Sequence, residues 1–215
     1  YLIEEPMAAA LGARLPIQDA VPNVIVDIGG GTTEVAVISM GGLISSRSLR
    51  IAGDKLTEDT IRYLREERNL LIGDATGENV KVSLGSAWAL DEEIELPVRG
   101  RDLLSGLPRE IMVTSQEIRQ AMHRSIKSIV RAVKNAIEET PPELTADLLN
   151  RPIALAGGGA LIRGIDTMIA KETKLLVQPV DDPLTAVVRG CGMVLENLEQ
   201  LRPVLLSQTE DEYRS

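Results

Sequence analysis

The residues best suited to chemistry lie in a glycine-rich turn between two apolar segments. Asp27 closes the first segment, and Gly29-Gly30-Gly31-Thr32-Thr33 follows it. Glycines in series indicate a backbone that takes positive φ or lets a ligand approach closely, and consecutive N–H groups in such a turn bind anions. A carboxylate beside a phosphate requires a cation between them, and Mg²⁺ is commonly held by carboxylates together with phosphates and waters. This stretch therefore predicts a hairpin that binds phosphate and Mg²⁺, with a plain glycine-rich turn as the alternative.

A second glycine-rich turn, Gly157-Gly158-Gly159-Ala160, follows the apolar segment 152–156. A helix is predicted from about Ile162 to Glu172. The pattern is therefore strand, turn and helix N-terminus, which is typical of phosphate and nucleotide sites. Two glycine turns, each closing a buried strand, are a stronger signal than either alone. Together they predict a cleft that holds both ends of a nucleotide.

Glu5 and the pair Glu78 and Lys81 are further candidates for functional residues. Glu5 lies at the start of a predicted short helix, where the helix dipole favours a carboxylate. Taken alone, Glu5 is best interpreted as an ordinary N-terminal acid, and the alternative is a rigid carboxylate that orients a water. Glu78 and Lys81, three residues apart on one helix face, favour a surface ion pair.

A sheet and helices must position these residues, and the apolar periodicity predicts both. The predicted strands are 24–28, 33–39, 43–51, 91–98, 110–113, 152–156 and 174–178, with 1–3 as a strand end and 99–108 as a loop. The predicted helices are 6–11, 53–68, 75–87, a long helix opened by a capping-box sequence at 114–117, 143–150, 162–172 and 182–201. Residues 208–215 are predicted to form a disordered acidic tail.

The long helix carries a basic stripe apart from its apolar face. Its members are Arg124, Lys127, Arg131 and Lys134. A solvated face is the favoured interpretation, and contact with a partner is the alternative.

Composition limits the classes of protein open to the chain. The 215 residues are 44% hydrophobic, so they can bury a sizeable core. A net charge of −9 argues against broad nucleic-acid binding. The single cysteine, Cys191, excludes a disulfide framework and a cysteine zinc site, and it fits a reducing cytosolic setting. No apolar segment approaches the ~20 residues of a membrane-spanning helix, and the start at Tyr1 predicts a fragment.

Five stretches of the chain match a known family in order and position. They are Leu2–Ala10, Asp27–Ser39, Pro141–Leu144, Ala156–Gly164 and Asp182–Val187. In these stretches the chain resembles the actin, Hsp70 and sugar-kinase superfamily, and more closely the bacterial actins of the MreB family. The resemblance implies an α/β fold, a ribonuclease-H-like half of the actin fold with a small α+β insertion subdomain. It also implies four parts: residues 1–19 ending a first large subdomain, 20–54 and 114–187 forming the nucleotide-gripping subdomain, 55–113 forming the insertion, and 188–215 forming a C-terminal helix and acidic tail.

The resemblance also implies a role for each candidate residue. Asp27 resembles the acid that holds Mg²⁺ through water, and Glu5 resembles the residue that positions the hydrolytic water, with Thr32 opposite it. The ATP phosphates are implied to bind the backbone of a phosphate loop, Gly29, Gly30, Gly31, Thr32 and Thr33. The adenosine is implied to bind Gly157, Gly158, Gly159 and Ala160. Glu78 and Lys81 fall where the family contacts ribose and adenine, which replaces the surface ion pair as the favoured interpretation.

The implied function is that of an ATP-binding and ATP-hydrolysing bacterial actin homologue, whose filaments direct rod cell shape and cell-wall synthesis. A sugar- or acetate-kinase-type phosphotransferase and an Hsp70-like chaperone ATPase half are the alternatives. The implied partners are further copies of the chain and membrane proteins of cell elongation, in the cytoplasm at the inner face of the cell membrane. The family's first phosphate loop and membrane-inserting elements lie in an N-terminal half that this sequence lacks. We therefore expect membrane association through that half, and weak ATP binding with negligible turnover by the isolated chain.

Overall fold

The structure is a computed structural model that describes residues 1–206. Within them the β-strands are β1 (Asn23–Ile28), β2 (Thr33–Ser39), β3 (Gly42–Leu49), β4 (Leu70–Leu71), β5 (Glu95–Asp102), β6 (Pro108–Thr114), β7 (Ile153–Ala156) and β8 (Val177–Pro179). The α-helices are α1 (Glu5–Gly12), α2 (Gly53–Arg68), α3 (Asp74–Leu84), α4 (Ser115–Glu138), α5 (Pro142–Thr145), α6 (Ile165–Thr173), α7 (Ala186–Glu196) and α8 (Leu198–Leu201). Short 3₁₀ helices cover Ala146–Asn150, Gly158–Leu161, Pro183–Thr185 and Arg202–Val204.

A five-stranded mixed sheet forms the centre of the chain, in the order β3-β2-β1-β7-β8. β1, β2 and β3 are antiparallel because short turns reverse the chain between them. β7 lies parallel to β1, and β8 lies parallel to β7, since helices intervene along the chain. An antiparallel three-stranded meander extended by parallel strands is the arrangement expected of a ribonuclease-H-like half.

Helices cover both faces of this sheet, and the strands alternate between two apolar cores. Val24 and Val26 of β1 pack with residues of α2, α4 and α6, whereas Ile25 between them packs with residues of α1 and α7. Successive side chains of a strand point to opposite faces, so this alternation follows from the strand geometry. A strand covered on both faces has no polar side, which explains why β1 is buried at every position.

Two helices on one face of the sheet, α1 and α7, cross with their backbones almost in contact. A Cβ atom placed on Gly12 would lie 1.8 Å from the carbonyl oxygen of Ala186. A Cβ atom placed on Gly190 would lie 1.8 Å from the carbonyl oxygen of Ala8. Glycine at both positions therefore allows α7 to pack closely against α1. This packing holds α1 in place.

A second sheet, in the order β4-β5-β6, lies in the predicted insertion. The strand predicted at 91–98 is present with shifted bounds, Glu95–Asp102. The loop predicted at 99–108 is wrong, because β5 continues to Asp102 and pairs Arg99 with Glu110 and Arg101 with Pro108. The hairpin turn is confined to 103–107, where the Asp102 carboxylate accepts N–H bonds from Leu104 and Ser105. Exposed strand residues such as Arg99 carry no apolar signal, so their pairing was not visible in the sequence.

Four other sequence expectations need correction. The helix predicted at 162–172 begins at Ile165, because Gly164 takes a left-handed conformation with φ 73°. The strand predicted at 174–178 starts at Val177, since Lys174 ends α6 in a left-handed conformation. The helix predicted at 182–201 opens as a 3₁₀ turn and is interrupted at Asn197. Leu2 makes only an isolated bridge to Leu206 instead of a strand end, and the tail at 208–215 lies outside the described residues.

The long helix α4 begins as its sequence predicts, with a capping box. The Thr114 hydroxyl accepts from the Glu117 N–H, and the Glu117 carboxylate accepts from the Thr114 N–H. α4 lies against α2 and carries Ile118, Met122 and Ile126 into the core beside β1 and β2. It therefore joins the small sheet to the large one.

Candidate functional site

The first glycine turn is closed by the hairpin of β1 and β2. Ile28 pairs with Thr33 across the two strands, and the Gly29 N–H donates to the Thr32 carbonyl over 2.9 Å. The Thr33 hydroxyl is fully buried and donates to the Ile51 carbonyl over 2.8 Å, so this hydroxyl holds the turn to β3. Thr32 is partly exposed and Gly31 is exposed at the tip. The turn therefore leaves its glycine backbone and Thr32 accessible to a ligand.

Asp27 lies where the two glycine turns meet. β1 pairs with β7 so that Asp27 stands beside Ala156, and the next residues of each strand enter the turns. Gly157 has φ 77°, and a Cβ atom there would lie 2.3 Å from Asp27 Oδ1. A glycine is therefore needed at 157 both for its left-handed backbone and for the space that Asp27 occupies.

The Asp27 carboxyl group is buried with only 4% of its surface exposed. Burial, and then the carboxylates of Glu5 and Glu34, raise its pKa from the ordinary 3.8 to about 6. No hydrogen bond within residues 1–206 offsets these effects. A buried acid crowded by two other acids fits a bound cation, which would restore its charged form.

Protein ligands alone do not build a metal cage at this point. In the described part of the chain, no group of three or more His, Cys, Asp or Glu side chains converges on one position. Mg²⁺ usually keeps several waters and takes one or two carboxylates plus substrate phosphates. The residues therefore fit Mg²⁺ that Asp27 holds together with water and nucleotide phosphates.

The two glycine turns open onto one cleft of about 470 Å³. Its predicted lining residues are Gly29, Gly30, Glu78, Lys81, Gly158 and Gly159. The N-terminus of α2 forms part of the same wall, because the Gly53 N–H donates to the Gly29 carbonyl and the Asp54 N–H donates to the Gly30 carbonyl. The other predicted binding residues, Gly31, Thr32, Thr33, Gly157 and Ala160, lie outside this lining.

Glu78 and Lys81 form an ion pair inside the cleft wall. Lys81 Nζ lies 2.7 Å from Glu78 Oε2 and donates to the Gly53 carbonyl over 3.0 Å. The Thr57 hydroxyl donates to the same Glu78 carboxylate. Partial burial acts to raise the pKa of Glu78, but the hydrogen bonds from Lys81 and Thr57 outweigh it and lower the pKa. The Glu78 carboxylate is therefore held in its charged form, and the pair joins α3 to the start of α2.

Several cleft residues were not predicted from the sequence. Asp54 stands in the first turn of α2, near Gly30. Val82, Leu161 and Leu184 line the cleft although 59–67% of their surface is exposed. Exposed apolar side chains around one polar cleft are suited to the flat face of a base. They come from three separate segments, so only the folded chain brings them together.

Glu5 is the first residue of α1 and is exposed. Its carboxylate is close enough to raise the pKa of Asp27. Glu5 therefore lies within electrostatic range of Asp27, and its role in orienting a water stays a prediction.

Comparison with known proteins decides the family. A sequence model of the family described as MreB/Mbl protein matches residues 1–203. The chain belongs to the MreB/Mbl family. It is 49% identical over 199 residues to the cell shape-determining protein MreB of Escherichia coli K12, and 43% identical over 201 residues to the cell shape-determining protein Mbl of Bacillus subtilis 168. These alignments cover 93% and 94% of the chain but 57% and 60% of the relatives, so this MreB/Mbl chain spans less than two thirds of their length.

Solved structures confirm the predicted fold. MreB5 of Spiroplasma citri bound to ADP matches with a TM-score of 0.88 and 38% identity, over 93% of this chain and 61% of that one. The filament structure of MamK matches with a TM-score of 0.73 and 23% identity, over 90% of this chain and 58% of that one, and shows the actin-like fold. This MreB/Mbl family member is thus an actin-like α/β protein, which favours the actin-homologue prediction over the kinase and chaperone alternatives. None of its described helices is long and apolar enough to cross a bilayer.

Proposed function

We propose that this MreB/Mbl protein binds ATP with Mg²⁺ in the cleft between its two glycine turns, hydrolyses it, and polymerises into filaments that direct rod cell shape and cell-wall synthesis. The observation that carries the proposal is the convergence of Gly29, Gly30, Gly158 and Gly159 on one cleft beside a buried, cation-seeking Asp27. The ADP-bound and AMPPNP-bound structures of Spiroplasma MreB5 support a nucleotide as the ligand.

Each residue has a defined task in this proposal. In the first turn, from Gly29 to Thr33, the Gly29 N–H closes the turn on the Thr32 carbonyl, and backbone N–H groups of the residues after Gly29 donate to the phosphates. Gly157 to Ala160 take the adenosine side. Mg²⁺, when bound, neutralises phosphate charge and polarises the phosphoryl oxygens. Asp27 holds that ion through water, and Glu5 orients the attacking water with Thr32 opposite it. Orienting groups of this kind contribute through position, so Glu5 acts on turnover more than on affinity.

Lys81 and Glu78 serve the sugar and base. The Lys81 ammonium is only 11% exposed and is fixed by both Glu78 and the Gly53 carbonyl, so it presents a pre-oriented donor. The exposed half of Glu78 offers carboxylate oxygen to a ribose hydroxyl. The apolar side chains of Val82 and Leu184 then cover the base.

The cellular part of the proposal follows from family membership. The proposed partners are further copies of this protein in a filament and membrane proteins of cell elongation. The proposed location is the cytoplasm at the inner face of the cell membrane, with membrane association through the N-terminal half that the longer relatives possess.

A titration tests the cleft. ATP with Mg²⁺ is added to the wild-type chain and to Lys81→Ala in a calorimeter, at concentrations that reach millimolar ligand. Losing a charge-assisted donor at a partly buried site is expected to weaken ATP at least about tenfold. Lys134→Ala is the matched control, because Lys134 pairs with Glu138 on exposed α4, far from the cleft. Equal ATP affinity in wild type and Lys81→Ala would contradict the assignment.

A further inference from the structure

The outward face of α4 is basic although the chain as a whole is acidic. Residues 118–137 contain no Asp or Glu, in a chain with 32 acidic residues and a net charge of −9. Arg124, Lys127, Arg131 and Lys134 are all exposed and follow one another at spacings of three or four, so they form one row. Within residues 1–206 only Lys134 has an ion-pair partner, Glu138 at 3.8 Å. We call this row the basic stripe.

The basic stripe weakens its own helix, so helix stability does not explain it. Cations at i, i+3 and i, i+4 repel one another, and no acidic side chain of α4 is interleaved to offset this. A groove runs beside the stripe, and its charged lining residues are Lys127, Arg131, Lys134, Glu138 and Glu172. α4 exposes no large apolar side chain of its own, so this face is unsuited to insertion into a bilayer.

A segment of complementary composition lies elsewhere on the same chain. Asp91-Glu92-Glu93-Ile94-Glu95 places four acids in five exposed residues, with the partly exposed Ile94 among them. We call it the acidic segment. Glu93 is bound by Arg119, and the backbone of Ile94 exchanges two hydrogen bonds with Ser115. In the described residues the other three acids make no ion pair.

The acidic segment cannot serve the basic stripe of its own chain, because Ser115 and Arg119 fasten it to the first two turns of α4. The segment bends at Asp91 and Glu92, so it spans less than the ~17 Å of five extended residues. It therefore covers part of the ten-residue rise of about 15 Å from Arg124 to Lys134. The occupant that these features describe is a second copy.

We propose that the acidic segment of one copy docks along the basic stripe of a second copy. Because the acidic segment is fastened to the first two turns of α4 and the basic stripe lies on its later turns, a two-fold axis beside α4 would bring each segment onto the other copy's stripe. Such a contact is self-complementary and closes as a dimer. Neither surface contributes to the nucleotide cleft, so the contact forms without nucleotide and stands or falls independently of the proposed ATP site.

Charge reversal and rescue test the pairing. Wild type, Lys127→Glu/Arg131→Glu and Asp91→Lys/Glu92→Lys are compared by sedimentation velocity without nucleotide. The buffer contains about 100 mM salt, where the repulsion between two acidic copies is largely screened beyond ~10 Å. Each reversed variant is expected to dissociate at least about tenfold more readily than wild type, because like charges then face each other in both halves of the contact. Mixing the two reversed variants, or combining them in one chain, is expected to restore the dimer.

A matched control separates this contact from net charge. Arg14→Glu/Arg202→Glu makes the same change in net charge as Lys127→Glu/Arg131→Glu, but on exposed residues outside α4. It is expected to dimerise like wild type. Circular dichroism checks that each variant folds. In a Cys191→Ser background, Glu92→Cys mixed with Arg131→Cys is expected to crosslink, whereas either alone is not.

Three results would overturn the proposal. One is a wild type that stays monomeric at hundreds of micromolar protein. Another is a pair of reversed variants that fails to rescue. The third is a wild-type protein that forms no dimer but binds phosphatidylglycerol vesicles, with the binding lost in Lys127→Glu/Arg131→Glu. That result would make the basic stripe a lipid-facing surface.

Discussion

Asp27→Asn is expected to stabilise the nucleotide-free protein at neutral pH. The wild-type carboxyl group is buried at the junction of the two glycine turns and is crowded by Glu5 and Glu34. An amide of the same shape fills the same space without a charge. The variant therefore removes the unfavourable free energy of burying a charged carboxylate, which a bound cation would otherwise offset.

The magnitude follows from the pKa of Asp27. The pKa rises from 3.8 to about 6 in the fold, a difference of about two units, and each unit corresponds to about 1.4 kcal/mol. The charged form is thus disfavoured by at most about 3 kcal/mol at pH 7. Because the folded pKa is the higher one, the folded state binds more protons between about pH 4 and 6. Stability from this group is complete below pH 4 and is lost as the pH rises through about 6.

The assay is urea unfolding at several pH values between 4 and 7.5, without Mg²⁺ or nucleotide. The free energy of unfolding of Asp27→Asn minus that of wild type is expected to be near zero at pH 4 and to grow by roughly 2–3 kcal/mol by pH 7. Glu199→Gln, which neutralises an exposed acid away from the glycine turns and from the acidic segment, is the matched control and is expected to show no such pH-dependent gain.

A second measurement ties the result to the site. Saturating Mg²⁺ and ATP are expected to raise the stability of wild type more than that of Asp27→Asn, since only the carboxylate pairs with the cation. A variant that is less stable than wild type at pH 7, or equally stable at all pH values, would refute the reasoning that Asp27 is a strained, cation-seeking acid.

Two further predictions address turnover and packing. In a protein extended to the full length of its relatives, Glu5→Ala is expected to slow ATP hydrolysis by about 10²-fold with little change in ATP affinity, as for a positioned acid–base group; single-turnover phosphate release checks it, and hydrolysis at the wild-type rate would remove Glu5 from the mechanism. Gly190→Ala is expected to destabilise the protein by about 1–3 kcal/mol, because its Cβ would lie 1.8 Å from the Ala8 carbonyl oxygen; in urea unfolding the control Gly192→Ala, with no atom near its Cβ, is expected to be neutral or stabilising.

Sequence patterns predicted the central sheet because its signals are local. The β-branched run at 24–28 and the apolar run at 33–39 became β1 and β2, and the capping box at 114–117 opens α4 as predicted. Both glycine turns were visible because three glycines in series are rare in helices and strands. The predictions that failed concern residues whose structure depends on partners distant in sequence. β5 carries Arg99 and Arg101 on exposed positions and is a strand only because β6 pairs with it.

The candidate site was predicted less completely than the sheet. The sequence gives no sign that Asp54, Val82 and Leu184 share a cleft, since their meeting depends on how α2, α3 and the segment after β8 pack. The pair Glu78–Lys81 shows the opposite difficulty. Its spacing alone favours an ordinary surface pair, and an ion pair is what forms, yet the fold places it in the wall of the cleft. The i, i+3 spacing predicted the ion pair between Glu78 and Lys81. Its position in the cleft wall follows only from the tertiary structure.

The pairing of β1 with β7 explains why two glycine turns far apart in sequence act as one site. Parallel strands in register end at the same edge of a sheet, and here Asp27 and Ala156 are the paired residues at that edge. The turns then leave side by side, and Gly157 approaches Asp27 so closely that position 157 has no room for a Cβ atom. The cation that we propose for Asp27 would therefore lie next to both turns. The strain of burying that acid is localised where a bound nucleotide and its metal would relieve it, which makes the empty cleft the less stable state at neutral pH.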